Sequence, residues 1–176
     1  MHRFAVLLTT GLAIAAPAGC ARPAAVVPVT VASVAHGLLE AAVDLDGRPV
    51  GALPAGGRAT VAMVFASWCG HCRAELPVLA SLAQRWPDVR ILGVNYRGHE
   101  EYQQRGDAAA VRAFVAELAP WLRVVPADER LWTALGRPAK VPTLYVFDRG
   151  GRLLHTFDRR TAALPTLAEL EAELPP

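Results

Sequence analysis

The junction between an apolar run and a pair of cysteines constrains this chain more than any other feature. From Thr60 to Ala66 the sequence is nearly continuously apolar, and it leads directly into Ser67-Trp68-Cys69-Gly70-His71-Cys72. A short apolar run bounded by a polar motif is the pattern of a strand buried on both faces, as in a sheet flanked by helices. Beyond the cysteines, Leu76, Leu79, Ala80, Leu82, Ala83 and Trp86 recur at helical spacing, interrupted only by Pro77. An interior proline removes one backbone hydrogen bond, so the spacing predicts a kinked helix from Cys69 to about Trp86. A central strand that delivers Cys69 to the edge of a sheet and the start of a helix places the chain in the α/β class.

The same alternation continues downstream. A strand is predicted at about Val89–Asn95, then a polar connector through Arg105, then a helix at about Asp107–Leu118 with Val111, Phe114, Val115 and Leu118 on one face. Strand and helix in alternation imply a parallel segment of sheet. Thr143–Phe147 and Leu153–Phe157 flank Asp148-Arg149-Gly150-Gly151 and read as an antiparallel hairpin, and Leu164–Leu174 reads as a short closing amphipathic helix. Ahead of the buried strand, the Asp-Gly turn in Asp44-Leu45-Asp46-Gly47-Arg48-Pro49-Val50 predicts a small additional hairpin. No internal repeat is visible.

At 176 residues the chain has room for one domain plus a leader. A formal charge of +2 with 19% charged residues gives neither the dense basic stripe of a nucleic-acid binder nor the acidic bias of a disordered chain. The first 20 residues read as an export signal: Met1-His2-Arg3 is a basic start, and the apolar run from Phe4 to Ala16 is roughly 13 residues, short of the ~20 a spanning helix needs. Two processing patterns overlap at its end. Ala16-Pro17-Ala18 fits a small-x-small cleavage site, which gives a soluble periplasmic protein. Pro17-Ala18-Gly19-Cys20 resembles a bacterial lipobox, with Pro17 where that pattern usually has Leu. Lipidation of Cys20 would remove the odd thiol, a liability in an oxidising compartment, and anchor the protein to a membrane. Residues 21–34, rich in Ala, Pro and Val, read as a tether, leaving 35–176 as the folded domain.

Two thiols three residues apart at a helix start are neighbours and can close reversibly into a disulfide. Cys69, beside the unpaired N–H groups of the first turn, has the better stabilised thiolate and is the expected nucleophile; Cys72, one turn in, is the resolving thiol. The implied cycle is attack on a disulfide sulfur, a mixed disulfide, and release by the second cysteine. Covalent c-haem attachment needs His directly after the second cysteine, where this chain has Arg73. A structural zinc site needs four ligands, and there is neither a second C-x-x-C nor an H-x-x-x-H, so no metal site is assigned. Transfer of copper by the same two thiols, as a metallochaperone, is the alternative from a different class. A purely structural disulfide does little here, because the loop it closes is so tight.

The segment Phe65-Ala66-Ser67-Trp68-Cys69-Gly70-His71-Cys72-Arg73-Ala74-Glu75-Leu76-Pro77 resembles the active-site run of the TlpA-like branch of the thioredoxin superfamily, and the likeness extends over essentially residues 40–174. The Asp-Gly hairpin ahead of it and the later Val141-Pro142-Thr143 fit the same pattern. The resemblance implies a thioredoxin fold, a central mixed sheet flanked by helices with an added N-terminal β-hairpin. It also implies an exported, often membrane-tethered thiol–disulfide oxidoreductase without a cofactor. Its partners would be protein thiols and disulfides and a membrane electron donor or acceptor, not nucleic acid, and several relatives reduce substrates in cytochrome c maturation.

By the same resemblance Pro142 is the cis-proline facing the disulfide, Val141 offers backbone hydrogen bonds, and Trp68 shields the nucleophile and touches substrate. Gly70 and His71 complete the substrate-binding face. Glu75 would manage the proton of the resolving thiol, a role sharpened by Met63, which stands where ordinary thioredoxins bury an acid. His71, when protonated, favours the Cys69 thiolate and makes the pair more oxidising. Ala66 stands where peroxide-reducing relatives have Thr. His36, His99 and His155 read as isolated surface or loop residues, and Trp86, Trp121 and Trp132 as packing. Asp158-Arg159-Arg160-Thr161 departs from the glycine that relatives often carry before the final helix, so substrate contacts there are expected to differ.

Overall fold

A computed structural model describes residues 31–159 and 163–176. The leader, Cys20 and the tether up to Thr30 lie outside the described residues. Strand β1 (Ala59–Phe65) is buried at every position. It is the middle of a five-stranded sheet in the order β3-β2-β1-β4-β5. Strand β2 (Val89–Tyr96) runs parallel to it, and β4 (Thr143–Asp148) runs antiparallel on its other side. The edges are β3 (Arg123–Ala127), parallel to β2, and β5 (Leu153–Asp158), antiparallel to β4.

Alternation along β1 divides the core between two faces. Val61, Met63 and Phe65 point into a cluster with Leu76, Leu79 and Leu82 of helix α2 (Gly70–Arg85). Val111 and Phe114 of α4 (Ala108–Leu118) and Leu170 of α6 (Leu167–Ala172) join them. Ala62 and Val64 point the opposite way. They meet Ala35 and Leu39 of α1 (Val31–Ala41) and Leu131 and Trp132 of α5 (Glu129–Ala134). Each fully buried side chain of this size stabilises the fold by roughly 1.5–3 kcal/mol. Helix α2 continues through Pro77, whose carbonyl accepts the Ser81 hydroxyl at 2.8 Å.

Three parts of the sequence reading change. Helix α1 begins inside the segment read as a tether; its residues are apolar almost all round, which hides the helical period until Ala35 and Leu39 are seen docked on the sheet. The predicted N-terminal hairpin is a turn closed by a single antiparallel bridge, Val43 to Pro49. Pro49 has no N–H for a longer ladder, and the Asp44 carboxylate accepts the N–H groups of Asp46 (3.0 Å) and Arg48 (2.8 Å) instead. The connector after β2 holds α3 (Arg97–Glu100) and a 3₁₀ turn at Tyr102–Gln104.

Candidate active site

Cys69 is the N-cap of α2, immediately beyond the buried end of β1. Its sulfur accepts the Cys72 N–H at 3.1 Å, one of the orphan donors of a helix start. The two cysteines form a disulfide, with Cα atoms 5.2 Å apart. Their surroundings differ. Cys72 is fully buried, whereas Cys69, 4% exposed, borders a groove of about 520 Å³. The Val141–Pro142 bond is cis, and the Val141 carbonyl oxygen lies 3.6 Å from Cys69 Sγ.

The groove collects Trp68, Cys69, Gly70, His71 and Val141 from the sequence-predicted set. Pro142 is buried next to Val141, at the entry to β4. Trp68 donates its indole N–H to the carbonyls of His99 (3.2 Å) and Glu100 (3.0 Å), and the Arg105 guanidinium sits 5.0 Å above its ring.

Glu75 points the other way, into the core beside Cys72. It is 1% exposed, and neither carboxyl oxygen has a hydrogen-bond partner among the described residues. Burial without a donor disfavours the charged form and pushes its pKa up to about 7. A carboxyl poised near neutrality, one helical turn from the inner thiol, can take up and return a proton under ordinary conditions.

Sequence reasoning missed a second buried carboxylate. Glu100, 2% exposed, accepts the Ser67 N–H at 2.9 Å, the Ser67 hydroxyl, and the Asn95 amide at 2.8 Å. Asn95 also donates to the Phe65 carbonyl at 3.2 Å. These bonds tie the end of β1 to the connector after β2, and the Trp68 bonds lock the loop between them. Nothing in the sequence marks Glu100, which sits in a polar stretch among other charged residues. Asn95, a polar side chain closing an apolar strand, was the available signal.

The histidines read as surface or loop residues divide. His155 is partly exposed, with Nδ1 3.3 Å from Glu173. His36 is buried against Phe147, 3.3 Å from the Thr60 hydroxyl, and burial lowers its pKa. His99 lines the groove, packed edge-on against Trp132; its Nδ1 is buried without a partner among the described residues, and burial lowers its pKa too. Among the described residues no three His, Cys, Asp or Glu side chains are gathered so as to hold a metal ion. No helix there is long and apolar enough to cross a membrane.

The thioredoxin family model matches residues 55–121, from the approach to β1 through α2, β2 and α4. The thiol:disulfide interchange protein DsbE homolog of Paracoccus denitrificans is 32% identical over 92 residues, 52% of this chain and 45% of the relative, so the chain spans about half the length of the curated relative it matches. Among solved structures, a secreted Mycobacterium tuberculosis disulfide oxidoreductase homologous to E. coli DsbE superposes with a TM-score of 0.60 at 24% identity, covering 78% of this chain and 96% of that one. The exposed lipoprotein thioredoxin of Streptococcus pneumoniae gives 0.58 at 20% identity, covering 74% and 93%. StoA of Bacillus subtilis gives 0.57 at 20% identity, covering 75% and 92%. The chain thus shares the fold of these solved structures, and the segment matched by the thioredoxin family model contains Cys69 and Cys72.

Proposed function

We propose that this protein is an exported thiol–disulfide oxidoreductase that exchanges disulfides with protein substrates through Cys69 and Cys72. One observation carries the reading: the disulfide caps a helix with Cys69 at a groove and Cys72 in the core, so only one sulfur is presented to a partner. In the reducing direction the Cys69 thiolate attacks a substrate disulfide sulfur, forming a mixed disulfide and releasing one substrate thiolate. The Cys72 thiol gives its proton to the Glu75 carboxylate and attacks Cys69 Sγ. The second substrate thiolate then leaves with a proton. Two electrons pass from the enzyme dithiol to the substrate disulfide, and the oxidising direction is the reverse.

Trp68, Gly70, His71 and Val141 line the substrate groove, with Pro142 buried next to Val141. The Val141 carbonyl beside Cys69 is placed to accept an N–H from an extended substrate backbone. The leader and Cys20 support export and a lipid anchor facing the periplasm, where a membrane electron carrier would reset the pair. The Mycobacterium relative is named as secreted and the pneumococcal one as a lipoprotein, which agrees with that placement. Reduction of an apocytochrome disulfide to its two thiols is one use open to such an enzyme.

The test is a disulfide-exchange assay on the wild type and two variants. Cys69→Ser should abolish exchange, and Cys72→Ser should accumulate a mixed disulfide with substrate that is visible on a non-reducing gel. Undiminished exchange by Cys69→Ser would overturn the reading.

A further inference from the structure

The mouth of the groove carries a charge that the exchange chemistry does not require. Arg105 reaches it from the connector before α4, Lys140 from the loop before the cis-proline, and Arg159 from the end of β5. Three separate segments thus bring permanent cations to one place, and no aspartate or glutamate among the described residues lines the groove. The single lysine of the chain is among them.

Elsewhere most arginines are paired: Arg58, Arg85, Arg97, Arg123, Arg137 and Arg152 each lie within 4.0 Å of a carboxylate, while Arg73, Arg130 and Arg149 are the scattered exceptions among the described residues. Arg105, Lys140 and Arg159 have no such partner among the described residues, and Arg105 rests on the face of Trp68. The acids nearest in sequence to Arg105 are engaged: Glu100 is turned inward to Ser67 and Asn95, Glu101 pairs with Arg97, and Asp107 caps α4. With an overall formal charge of only +2, three cations without a carboxylate partner around one groove are a local concentration of positive charge beside the disulfide.

Unpaired cations around a reactive centre attract and orient an oppositely charged partner, raising its association rate in a salt-sensitive way. We propose that the groove selects polypeptide disulfides flanked by acidic residues, with Arg105, Lys140 and Arg159 as the specificity-determining side chains. The proposal rests on the thiol–disulfide exchange reading.

The experiment uses the full protein in its dithiol form and three synthetic peptides with one disulfide each, identical except for flanking Asp, Asn or Arg. Second-order rate constants for oxidation of the protein are followed by tryptophan fluorescence at low and high salt. An exposed ion pair changes an equilibrium by roughly 1.5- to 5-fold, so three together should favour the Asp peptide over the Asn peptide by about tenfold at low salt, with the Arg peptide slowest. High salt should compress the series. In the triple variant Arg105→Gln, Lys140→Gln, Arg159→Gln the Asp-to-Asn ratio should fall to about one.

Equal rates for the three peptides, or an acidic preference that survives in the triple variant, would overturn the selectivity while exchange with the Asn peptide keeps the exchange reading intact. No reaction with any peptide, in protein whose thiols titrate normally, would remove the exchange reading and the selectivity with it.

Discussion

Glu75 is the residue whose chemistry can be read from the fold without any substrate. Its buried carboxyl keeps a proton up to about pH 7, whereas an unperturbed glutamate releases it near 4.5. Between those values the folded protein holds a proton that the unfolded chain has lost, so stability falls as pH rises across the window. The contribution is fully present below 4.5, is lost as pH climbs through about 7, and amounts to roughly 3 kcal/mol in the disulfide form. Glu75→Gln removes the titration. Its stability should stay level where the wild type declines, and the variant should be the more stable of the two at pH 8. Denaturant unfolding at pH 5 and pH 8 measures this, and parallel behaviour of the two proteins would show that Glu75 is not a buried neutral acid. In turnover the same substitution should slow release of the mixed disulfide roughly 10²-fold near neutral pH while leaving the first attack by Cys69 intact, an effect separable by rapid quenching.

At the level of elements, the site depends on how the loop after β1 is held by the connector after β2. Gly106 passes so close to Glu100 that a Cβ there would lie 2.1 Å from its Oε1. Gly106→Ala should therefore push the carboxylate off Ser67 and Asn95, destabilising the fold by about 1–3 kcal/mol in denaturant titration. It should also loosen Trp68, seen as a shifted tryptophan emission. At the far end of the chain, Thr166 and Glu169 form a capping box on α6. Thr166→Ala should cost about 1 kcal/mol by the same titration, with exchange activity unaffected. Elements of this kind differ in how clearly the sequence announces them. Strand β1 is legible as a continuous apolar run, and α2, β2, α4 and the β4–β5 pair from their apolar spacing and turn residues. Strand β3 was not, because Pro126 interrupts a run of five residues and only an edge position tolerates it. Helix α5 spans six residues, too few to show a face, although Asp128 caps it.

For the whole molecule, the two cysteines and the proline were legible as local motifs, but the groove they share was not. Its mouth carries Arg105, Lys140 and Arg159, which tertiary structure alone brings together, and their charge bears on the potential of the disulfide. The potential follows from how well the fold stabilises the dithiol form, with Cys69 as thiolate, relative to the disulfide. Here the Cys69 sulfur accepts a helix N–H, His71 sits two residues beyond the cap, and three cations stand around the groove. The nearby buried carboxyl, Glu75, stays neutral up to about pH 7 and so adds little opposing charge. All of these favour the thiolate and hence an oxidising pair. Equilibration against glutathione should give a potential well above the roughly −270 mV of thioredoxin, nearer the roughly −180 mV of protein disulfide isomerase. Replacing His71 by Pro, or neutralising Arg105, Lys140 and Arg159 together, should lower it by a few tens of mV, about 30 mV for each tenfold loss in the equilibrium constant. A wild-type value at or below that of thioredoxin would mean that the surrounding charge does not govern Cys69, and would place the protein at the reducing end of an electron chain.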